Sequence, residues 1–402
     1  MRLADPSDLV NGSADTVFER ADTLAADFAT RAAEHDRDGS FPFENFQRLA
    51  EAGMLNLTLP RAYGGQELGL AAICRVIQRI AAGDASTALV LAMQYMQHAL
   101  LVRESNWPRA VYEQVCRESV EGIALMNSLR VEPELGTPAR GGLPATTATE
   151  SDQGWRISGH KIYSTGAPIL RWMTVWARTA DIEPRVGLFL VPADSDGVRI
   201  VETWDHLGMR ATGSHDVLLE QVAIPAEFAV DVRFPNAWPR PSPLAGAWNA
   251  LILSALYHGV ACAARDWLVG YLHQRVPTNL GAPLASLPRF QSAVGEIQAL
   301  LYASERLLYD AAAEADLGQE PLATSPMLVT HIATNNAIRA VEIGLALIGN
   351  PGLTRHNPLE RHYRDALCSR IHSPQDDVIL AAAGREALGI GSAPSAPRKE
   401  GA

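Results

Sequence analysis

Residues 204–228 read WDHLGMRATGSHDVLLEQVAIPAEF and join two kinds of sequence. The first part holds glycines and small residues, which are typical of a loop or turn. The second part, residues 214–225, is short, β-branched and partly alternating between apolar and polar residues, and it ends in proline. That pattern favours a β-strand with one buried face. We therefore predict a glycine-containing loop that leads into a strand at the middle of the chain.

Similar strand-like segments occupy residues 123–233, among them GWRISGHKIY, RWMTVWAR, VGLFLVP and VRIVETW. Gly, Pro, Asp and Ser separate them, so we predict a middle domain built on an antiparallel sheet or small barrel. Helical spacing predicts an N-terminal helical domain over 1–122, with breaks at 38–39, 60–65 and 83–84, and a C-terminal helical bundle over 234–392. Residues 393–402 should be a disordered tail. The predicted fold class is α+β, mainly α.

The composition excludes several classes of protein. A chain of 402 residues that is 47% hydrophobic can bury a large core. Its net charge of -11 argues against nucleic acid or an anionic membrane as a partner. The most apolar run, residues 86–102, is interrupted by Gln94, Gln97 and His98, which indicates a buried helix and no membrane span.

The first residues lack the apolar region of a secretory signal, and the four cysteines lie far apart without metal-site spacing. We expect a cytoplasmic protein with reduced cysteines and no metal site.

Local chemistry favours a cofactor cleft without identifying the cofactor. In KIYSTGAP (161–168), Ser164 and Thr165 stand at a strand end, where hydroxyls can bond the edge of a heteroaromatic ring. LIGNPGL (347–353) could hold a phosphate on its backbone amides. An ordinary glycine turn and a glycine helix cap explain the same residues. Five histidines could face a pocket: His98, His206, His215, His258 and His372.

The 204–228 stretch resembles the acyl-CoA dehydrogenase superfamily, through its Gly-Met-Arg, the following Thr and the strand that ends Val-x-Ile-Pro. Other stretches resemble family segments in the same order: GMLNLTLPRAYGGQELGL (53–70), EPELGTPARGGLPATTA (132–148), GHKIYSTGA (159–167), RVPTNLGAPLASLPRFQ (275–291) and LIGNPGLTRHNPLERHYRDAL (347–367). The resemblance extends over about residues 15–392. It implies an N-terminal helical domain, a middle β-domain, a C-terminal four-helix bundle, and a homotetramer or dimer of dimers.

The resemblance also implies a bound flavin and its contacts. Thr165 would touch the reactive edge of the ring, with Tyr163 and Ser164 nearby. The remaining contacts, from the pyrimidine edge through the pyrophosphate to the adenosine half held across a subunit interface, would come from Arg130, Val131, Glu132, Thr137, Arg275, Gln291, Gly349, Asn350 and Gly352. The adenosine-side segments favour FAD, with FMN possible. Val131 replaces the usual Thr of the first loop.

Acyl-CoA dehydrogenases need a carboxylate to remove a proton from the thioester substrate. Counted from Arg364 and Asp365, the usual glutamate position holds Ser373. The alternative position, on the first bundle helix, holds Asn249. Neither side chain can act as a general base near pH 7. Asp376 is close in sequence but displaced by several residues.

The flavin-dependent monooxygenases of the superfamily also lack the glutamate, and several place a His followed closely by Pro at this point. IHSPQDD (371–377) resembles that arrangement, with His372 at the matching position. These enzymes take reduced flavin from a separate reductase. We therefore predict a monooxygenase acting on a small organic substrate, with His372, Thr165 and Ser373 as catalytic residues. His372 would be an acid or base that titrates near neutrality.

Three alternatives stay open. His372 could only pack at a broken helix. The chain could be an acyl-CoA dehydrogenase with a displaced base, or a degenerate flavoprotein without catalysis.

Overall fold

The computed structural model describes residues 13–104, 106–136, 142–238, 242–318 and 325–390. Thr137 and the predicted tail at 393–402 lie outside the described residues. Helices precede and follow one β-sheet, in the order that the sequence predicts.

The three predicted breaks in the N-terminal helices are found. The helices are α1 (Ser13–Ala29), α2 (Ala32–Asp38), α3 (Phe43–Glu51), α4 (Leu70–Gly83), α5 (Ala85–Glu104) and α6 (Arg109–Glu121). The structure adds unpredicted breaks between α1 and α2 and between α5 and α6. Gly39 follows α2 in the left-handed conformation, with φ 67°, which glycine adopts without steric cost. Asp84 separates α4 from α5, and its Oδ2 accepts the Thr87 N–H at 3.0 Å. Asp84 therefore caps α5.

Eight strands form one sheet: β1 (Leu125–Leu129), β2 (Thr147–Ser151), β3 (Gly154–Ser164), β4 (Leu170–Thr179), β5 (Val186–Pro192), β6 (Val198–Val201), β7 (His215–Ile224) and β8 (Ala229–Arg233). Their order is β6-β7-β3-β2-β4-β5-β8, and β1 pairs with β4. Most pairs are antiparallel, as predicted, but β1 and a short part of β2 pair with β4 in parallel. Parallel pairing requires a crossover, and β2 and β3 supply it between β1 and β4.

The C-terminal helices are α7 (Pro243–Gln274), α8 (Pro288–Asp316), α9 (Ser325–Ile348), α10 (Asn350–Leu353), α11 (Leu359–Leu367) and α12 (Asp376–Ala387). The long α7 is central, because it packs against α8, α9 and α11 of the bundle and against α4 and α5 of the N-terminal part. Among the described residues α7 is also the one helix long and apolar enough to cross a membrane, but 83% of that apolar window is buried inside the protein.

Contacts between helices fix their directions. Ser254 of α7 meets Thr330 of α9, with 3.1 Å between the hydroxyls. An equal number of residues farther along both helices, a Cβ on Gly344 would lie 3.3 Å from Leu268. Helices α7 and α9 are therefore parallel. Helix α8, which follows α7 and precedes α9 in sequence, runs antiparallel to both. The end of α7, the start of α8 and the end of α9 therefore lie at the same end of the bundle.

Arg364 on α11 joins three parts of the chain. Its guanidinium contacts both carboxylate oxygens of Asp36 on α2, at 2.6 and 2.9 Å. It also bonds Glu360 at 2.7 Å and donates to the Leu207 carbonyl at 2.8 Å. The side chains of Arg364 and Asp36 are each 14% exposed, so this ion pair is largely shielded from water.

The junction loop (residues 204–213) is held on both sides. The Asp365 carboxylate accepts the Met209 N–H at 2.7 Å, and Arg210 donates to the Asp36 carbonyl at 2.7 Å. A Cβ on Gly208 would lie 2.3 Å from the Arg364 carbonyl oxygen, so only glycine fits there. The junction loop is thus packed between α2 and α11.

We expect Arg364→Leu to lower the free energy of unfolding by about 3 kcal/mol, because it leaves the shielded Asp36 and Glu360 carboxylates without their cation. Denaturant unfolding monitored by circular dichroism measures this. The matched control is Arg339→Leu, which removes an exposed pair with Glu296 at 3.3 Å and should cost less than about 1 kcal/mol. Equal losses in the two variants would contradict a special role for Arg364.

Buried histidines predict sensitivity to acid. Burial lowers the pKa of His98 and His362 to about 3, and that of His258 and His372 to about 4. Above pH 6.5 these groups are neutral in both states and contribute nothing. Below pH 6.5 the unfolded chain binds protons that the folded protein does not bind. The free energy of unfolding therefore falls as the pH falls. Burial raises the pKa of Asp365 to about 7, which acts in the opposite sense but for one group.

His98→Leu tests this effect. His98 is fully buried, and neither ring nitrogen has a partner among the described residues. Between pH 7 and pH 5 the variant should lose about 2 kcal/mol less stability than the parent. Denaturant unfolding across this range measures the difference, and the two curves should run parallel above pH 7. Parallel curves over the whole range would mean that His98 does not titrate as inferred.

Candidate functional site

The end of β3 presents an exposed aromatic side chain. Tyr163 has a φ of 56°, which is uncommon outside glycine, and 54% of the residue is exposed. Its ring lies edge-on to Trp204 and His206, at centroid distances of 6.3 and 5.8 Å. Trp204 and His206 stack on each other at 3.7 Å. This aromatic group brings the junction loop to the predicted flavin edge, and sequence reasoning did not identify Trp204.

A chain of three hydroxyls follows Tyr163. The Thr165 hydroxyl lies 3.0 Å from Ser214 Oγ, which lies 2.8 Å from Thr212 Oγ1. Thr212 in turn donates to the Met209 carbonyl at 3.0 Å. Ser214 and Thr212 are buried, whereas Thr165 is half-buried. Sequence reasoning missed Ser214 and Thr212, although the run Thr-Gly-Ser after Gly-Met-Arg was the available signal.

Ser164 and Thr165 fit the edge of a flat polar ligand. Ser164 is 2% exposed, and its Oγ has no hydrogen-bond partner in the described part of the chain. A buried polar atom without a partner is costly, so a bound group that pairs with it would stabilise the site. The Thr165 carbonyl accepts the Asn127 amide at 2.9 Å, which fixes the backbone here. The residues present therefore fit a flavin ring at this position.

The loop at residues 130–132, where the pyrimidine edge of a flavin is predicted to bind, is held from inside. The Val131 carbonyl accepts the Ile162 N–H at 3.0 Å. The buried Glu132 carboxylate accepts the Lys161 ammonium and the Ala145 N–H, both at 2.6 Å. Burial alone would raise the pKa of Glu132, but these donors hold it below its usual value.

Glu132 therefore shapes the loop through its side chain. This leaves the neighbouring Arg130 and Val131 as the more available contacts for a ligand. The Arg130 guanidinium lies 5.0 Å from the centre of the Trp176 ring.

His372 lines a small pocket at one end of the bundle. Its ring centroid is 5.7 Å from that of Tyr257 on α7. Burial lowers the pKa of His372 to about 4, although part of the residue remains accessible. The imidazole is thus neutral at pH 7, and the expected titration near neutrality is not found in this state. The pocket has room for about 20 Å³, close to one water molecule.

Helices α7, α9 and α12 and the segment before α12 line the pocket, through Asn249, Ala250, Leu253, Tyr257, Thr330, Thr334, Ser369, Arg370, His372, Ser373, Pro374, Gln375, Asp376 and Ile379. The lining contains no residue of the sheet. Thr165 is not among the residues that line this small pocket.

The two residues that the sequence predicts at the family base positions lie together in this pocket. The Asn249 amide donates to the Ser373 carbonyl at 2.9 Å. Both residues are neutral, as the sequence predicts. Folding therefore brings the two possible base positions into contact, and neither supplies a carboxylate.

Asp376 is the carboxylate that lines the same pocket. It contacts His331 at 2.9 Å, Asn335 at 3.0 Å and Arg370 at 3.1 Å. Burial alone would raise the pKa of Asp376, but the hydrogen bonds from Asn335 and His331 outweigh it and lower the pKa. A carboxylate stabilised in this way is a weak base.

The predicted adenosine contacts lie at the other end of the bundle. Arg275 ends α7, Gln291 belongs to the first turn of α8, and Gly349 ends α9 with φ 66°. Asn350 and Gly352 belong to the short α10, which follows Gly349. From the His372 pocket to Arg275 is about 30 Å along α7. Within one protomer the predicted adenosine contacts are therefore far from the His372 pocket. That they bind the cofactor of a neighbouring subunit stays a prediction.

Three family models match the chain in order: the acyl-CoA dehydrogenase N-terminal domain at 15–105, the middle domain at 131–222 and the C-terminal domain at 251–376. YdbM of Bacillus subtilis, whose name provisionally assigns it to the acyl-CoA dehydrogenases, is 34% identical over 373 residues, which is 92% of this chain and 96% of YdbM. The L-evernosamine nitrososynthase of a Micromonospora species is 30% identical over 86% of this chain and 83% of its own length.

A solved structure of KijD3 with FMN and a dTDP-linked amino keto sugar superposes with a TM-score of 0.83 and 27% identity, over 95% of each chain. Butyryl-CoA dehydrogenase of Megasphaera elsdenii has the same fold, with a TM-score of 0.82, 22% identity, and coverage of 96% of this chain and 99% of that one. The chain belongs to the acyl-CoA dehydrogenase family.

Proposed function

We propose that this protein is a flavin-dependent monooxygenase that uses reduced flavin and O2 to oxidise a small organic substrate. One observation carries the proposal: Asn249 and Ser373, the two family base positions, are in contact at 2.9 Å and both are neutral. Proton abstraction from a thioester requires a base at this point. The two predicted base positions therefore lack the carboxylate that dehydrogenation needs, while the site keeps the features that fit a flavin.

The relatives include both dehydrogenases and nitrososynthases, so they support a flavin oxidoreductase at a coarser level. The chain is a flavin oxidoreductase of the acyl-CoA dehydrogenase fold. Among its relatives above 25% identity are a nitrososynthase and KijD3, whose structure holds FMN and an amino sugar. A nitroso product implies oxidation of an amine, so these relatives make an amine-bearing sugar a candidate substrate. FAD is favoured for this chain through Arg275, Gln291 and the 349–352 segment, with FMN as the alternative.

Each residue has a defined part in the proposed reaction. Ser164 and Thr165 would hold the ring edge, and Arg130 and Val131 its pyrimidine side. When bound, the reduced flavin supplies the electrons that activate O2. The neutral His372 would accept a hydrogen bond from the substrate, because its pKa is lowered to about 4 and the ring stays uncharged at pH 7. Asn249 holds the Ser373 carbonyl and so fixes the turn that carries His372.

The assembly and setting are proposed with the function. A separate reductase would supply reduced flavin in the cytoplasm. A homotetramer or dimer of dimers would bring the far end of one bundle to the β-domain of a neighbour.

An acyl-CoA dehydrogenase with a displaced base is the second candidate. Asp376 favours it, because this carboxylate lines the pocket beside His372 and Ser373. The three donors around Asp376 argue against it, because they stabilise the charged form and weaken it as a base. A degenerate, non-catalytic flavoprotein is the third candidate, and a purified protein that stays colourless and does not bind added flavin would favour it.

Rapid mixing with oxygen tests the proposed function. The protein is loaded with FAD or FMN, reduced without oxygen and mixed with oxygenated buffer in a stopped-flow spectrometer. We expect an absorbing species distinct from oxidised and reduced flavin, with a lifetime longer than the reoxidation of free reduced flavin. Immediate reoxidation, together with bleaching of the oxidised protein by an acyl-CoA, would exclude the monooxygenase and support the dehydrogenase.

His372 and Asp376 variants separate the two candidates. His372→Ala should change the lifetime of that species or reduce coupling to product by about tenfold or more, because it removes a neutral hydrogen-bonding group from the pocket. Asp376→Asn is the matched variant in the same pocket, and it should change either value less than threefold. If Asp376→Asn instead abolishes bleaching by an acyl-CoA while His372→Ala has no effect, Asp376 is the base of a dehydrogenase.

A further inference from the structure

The hydroxyl chain of Thr165, Ser214 and Thr212 has a direction. A hydroxyl carries one hydrogen and two lone pairs, so it can donate once. Thr212 Oγ1 lies 3.0 Å from the Met209 carbonyl oxygen, which can only accept. The Thr212 hydrogen therefore points to Met209. The two remaining contacts then each contain one hydrogen if Ser214 donates to Thr212 at 2.8 Å and Thr165 donates to Ser214 at 3.0 Å.

The opposite direction is unfavourable. It would leave Thr212 Oγ1 and the Met209 oxygen facing each other at 3.0 Å without a hydrogen between them. Met209 O also receives the Trp204 indole N–H at 2.9 Å, which keeps this carbonyl in place. Thr212 and Ser214 are 0% and 3% exposed, so water does not readily offer substitute partners. Two buried acceptors in contact cost more than a shared carbonyl.

We propose that Ser214 and Thr212 are positioning residues. Ser214 accepts the hydrogen bond that Thr165 donates, and Thr212 accepts the one that Ser214 donates, so the Thr165 hydroxyl is fixed as an acceptor toward a bound flavin. This inference rests on the proposed function. An acceptor here prefers a ligand atom that donates. The ring nitrogen at the reactive edge carries a hydrogen in reduced flavin and only a lone pair in oxidised flavin. The site therefore binds reduced flavin more tightly, which suits a protein that receives it from elsewhere.

The ratio of the dissociation constants for oxidised and reduced flavin measures this preference. FAD and FMN are each titrated into the purified full chain, in air for the oxidised form and without oxygen for the reduced form. We expect the parent protein to bind the reduced form more tightly. Ser214→Ala frees the Thr165 hydroxyl to donate, so the ratio should fall by about tenfold. For a two-electron couple this equals a midpoint potential about 30 mV more negative.

A double-variant comparison shows whether Ser214 acts through Thr165. Thr165→Val removes the acceptor and should lower the ratio by itself. Adding Ser214→Ala to Thr165→Val should change nothing further, because the residue that it acts through is gone. Thr212→Val should resemble Ser214→Ala, and Thr212→Ser should restore the parent ratio. Ser304→Ala is the matched control, since it removes a buried hydroxyl on α8 outside this chain.

The outcomes are distinct. A parent protein that binds oxidised flavin as tightly as reduced flavin overturns the inference, whatever the variants do. So does an unchanged ratio in Ser214→Ala or, where that variant does not fold, in Thr212→Val. The monooxygenase proposal survives both results if oxygen still gives the long-lived species. A parent protein that binds neither form refutes the proposed function, and the inference fails with it.

Discussion

The ion pair between Arg364 and Asp36 is the contact on which the arrangement of the molecule depends. It joins α11 to α2 at 2.6 Å, and Arg364 also holds the Leu207 carbonyl of the junction loop. The neighbouring Asp365 accepts the Met209 N–H. Two adjacent residues of one helix thus fasten the N-terminal helices, the sheet and the bundle at a single place. Since that place is largely shielded from water, the attraction is screened little by solvent.

The same junction governs the flavin edge. The Met209 N–H is fixed by Asp365, and the Met209 carbonyl receives Thr212. The hydroxyl chain that ends at Thr165 therefore begins on a residue whose position α11 sets. A constraint made for assembly of the three parts also orients a polar group at the candidate site. The junction loop, although distant from His372 in sequence, therefore determines the hydrogen bonding beside Thr165.

Neutral side chains determine the chemistry of the His372 pocket. Asn249 and Ser373 occupy the positions where a dehydrogenase would place its base, and they bond each other. His372 is neutral at pH 7 because burial lowers its pKa. Asp376 keeps its charge but is bonded by Asn335 and other donors. Among the described residues that line this pocket, Asp376 is the one carboxylate, and its hydrogen-bond donors make it a weak base.

The sequence by itself determined the order helices, sheet, helices and the breaks at Gly39 and Asp84, because periodicity, caps and glycines are local properties. It also determined that no carboxylate occupies position 373. Only the tertiary structure decided that Ser373 touches Asn249, that Ser214 lies beside Thr165, and that burial removes His372 from titration near neutrality. Contacts between distant residues and the desolvation of a side chain depend on how the elements pack, and a linear pattern does not contain that information.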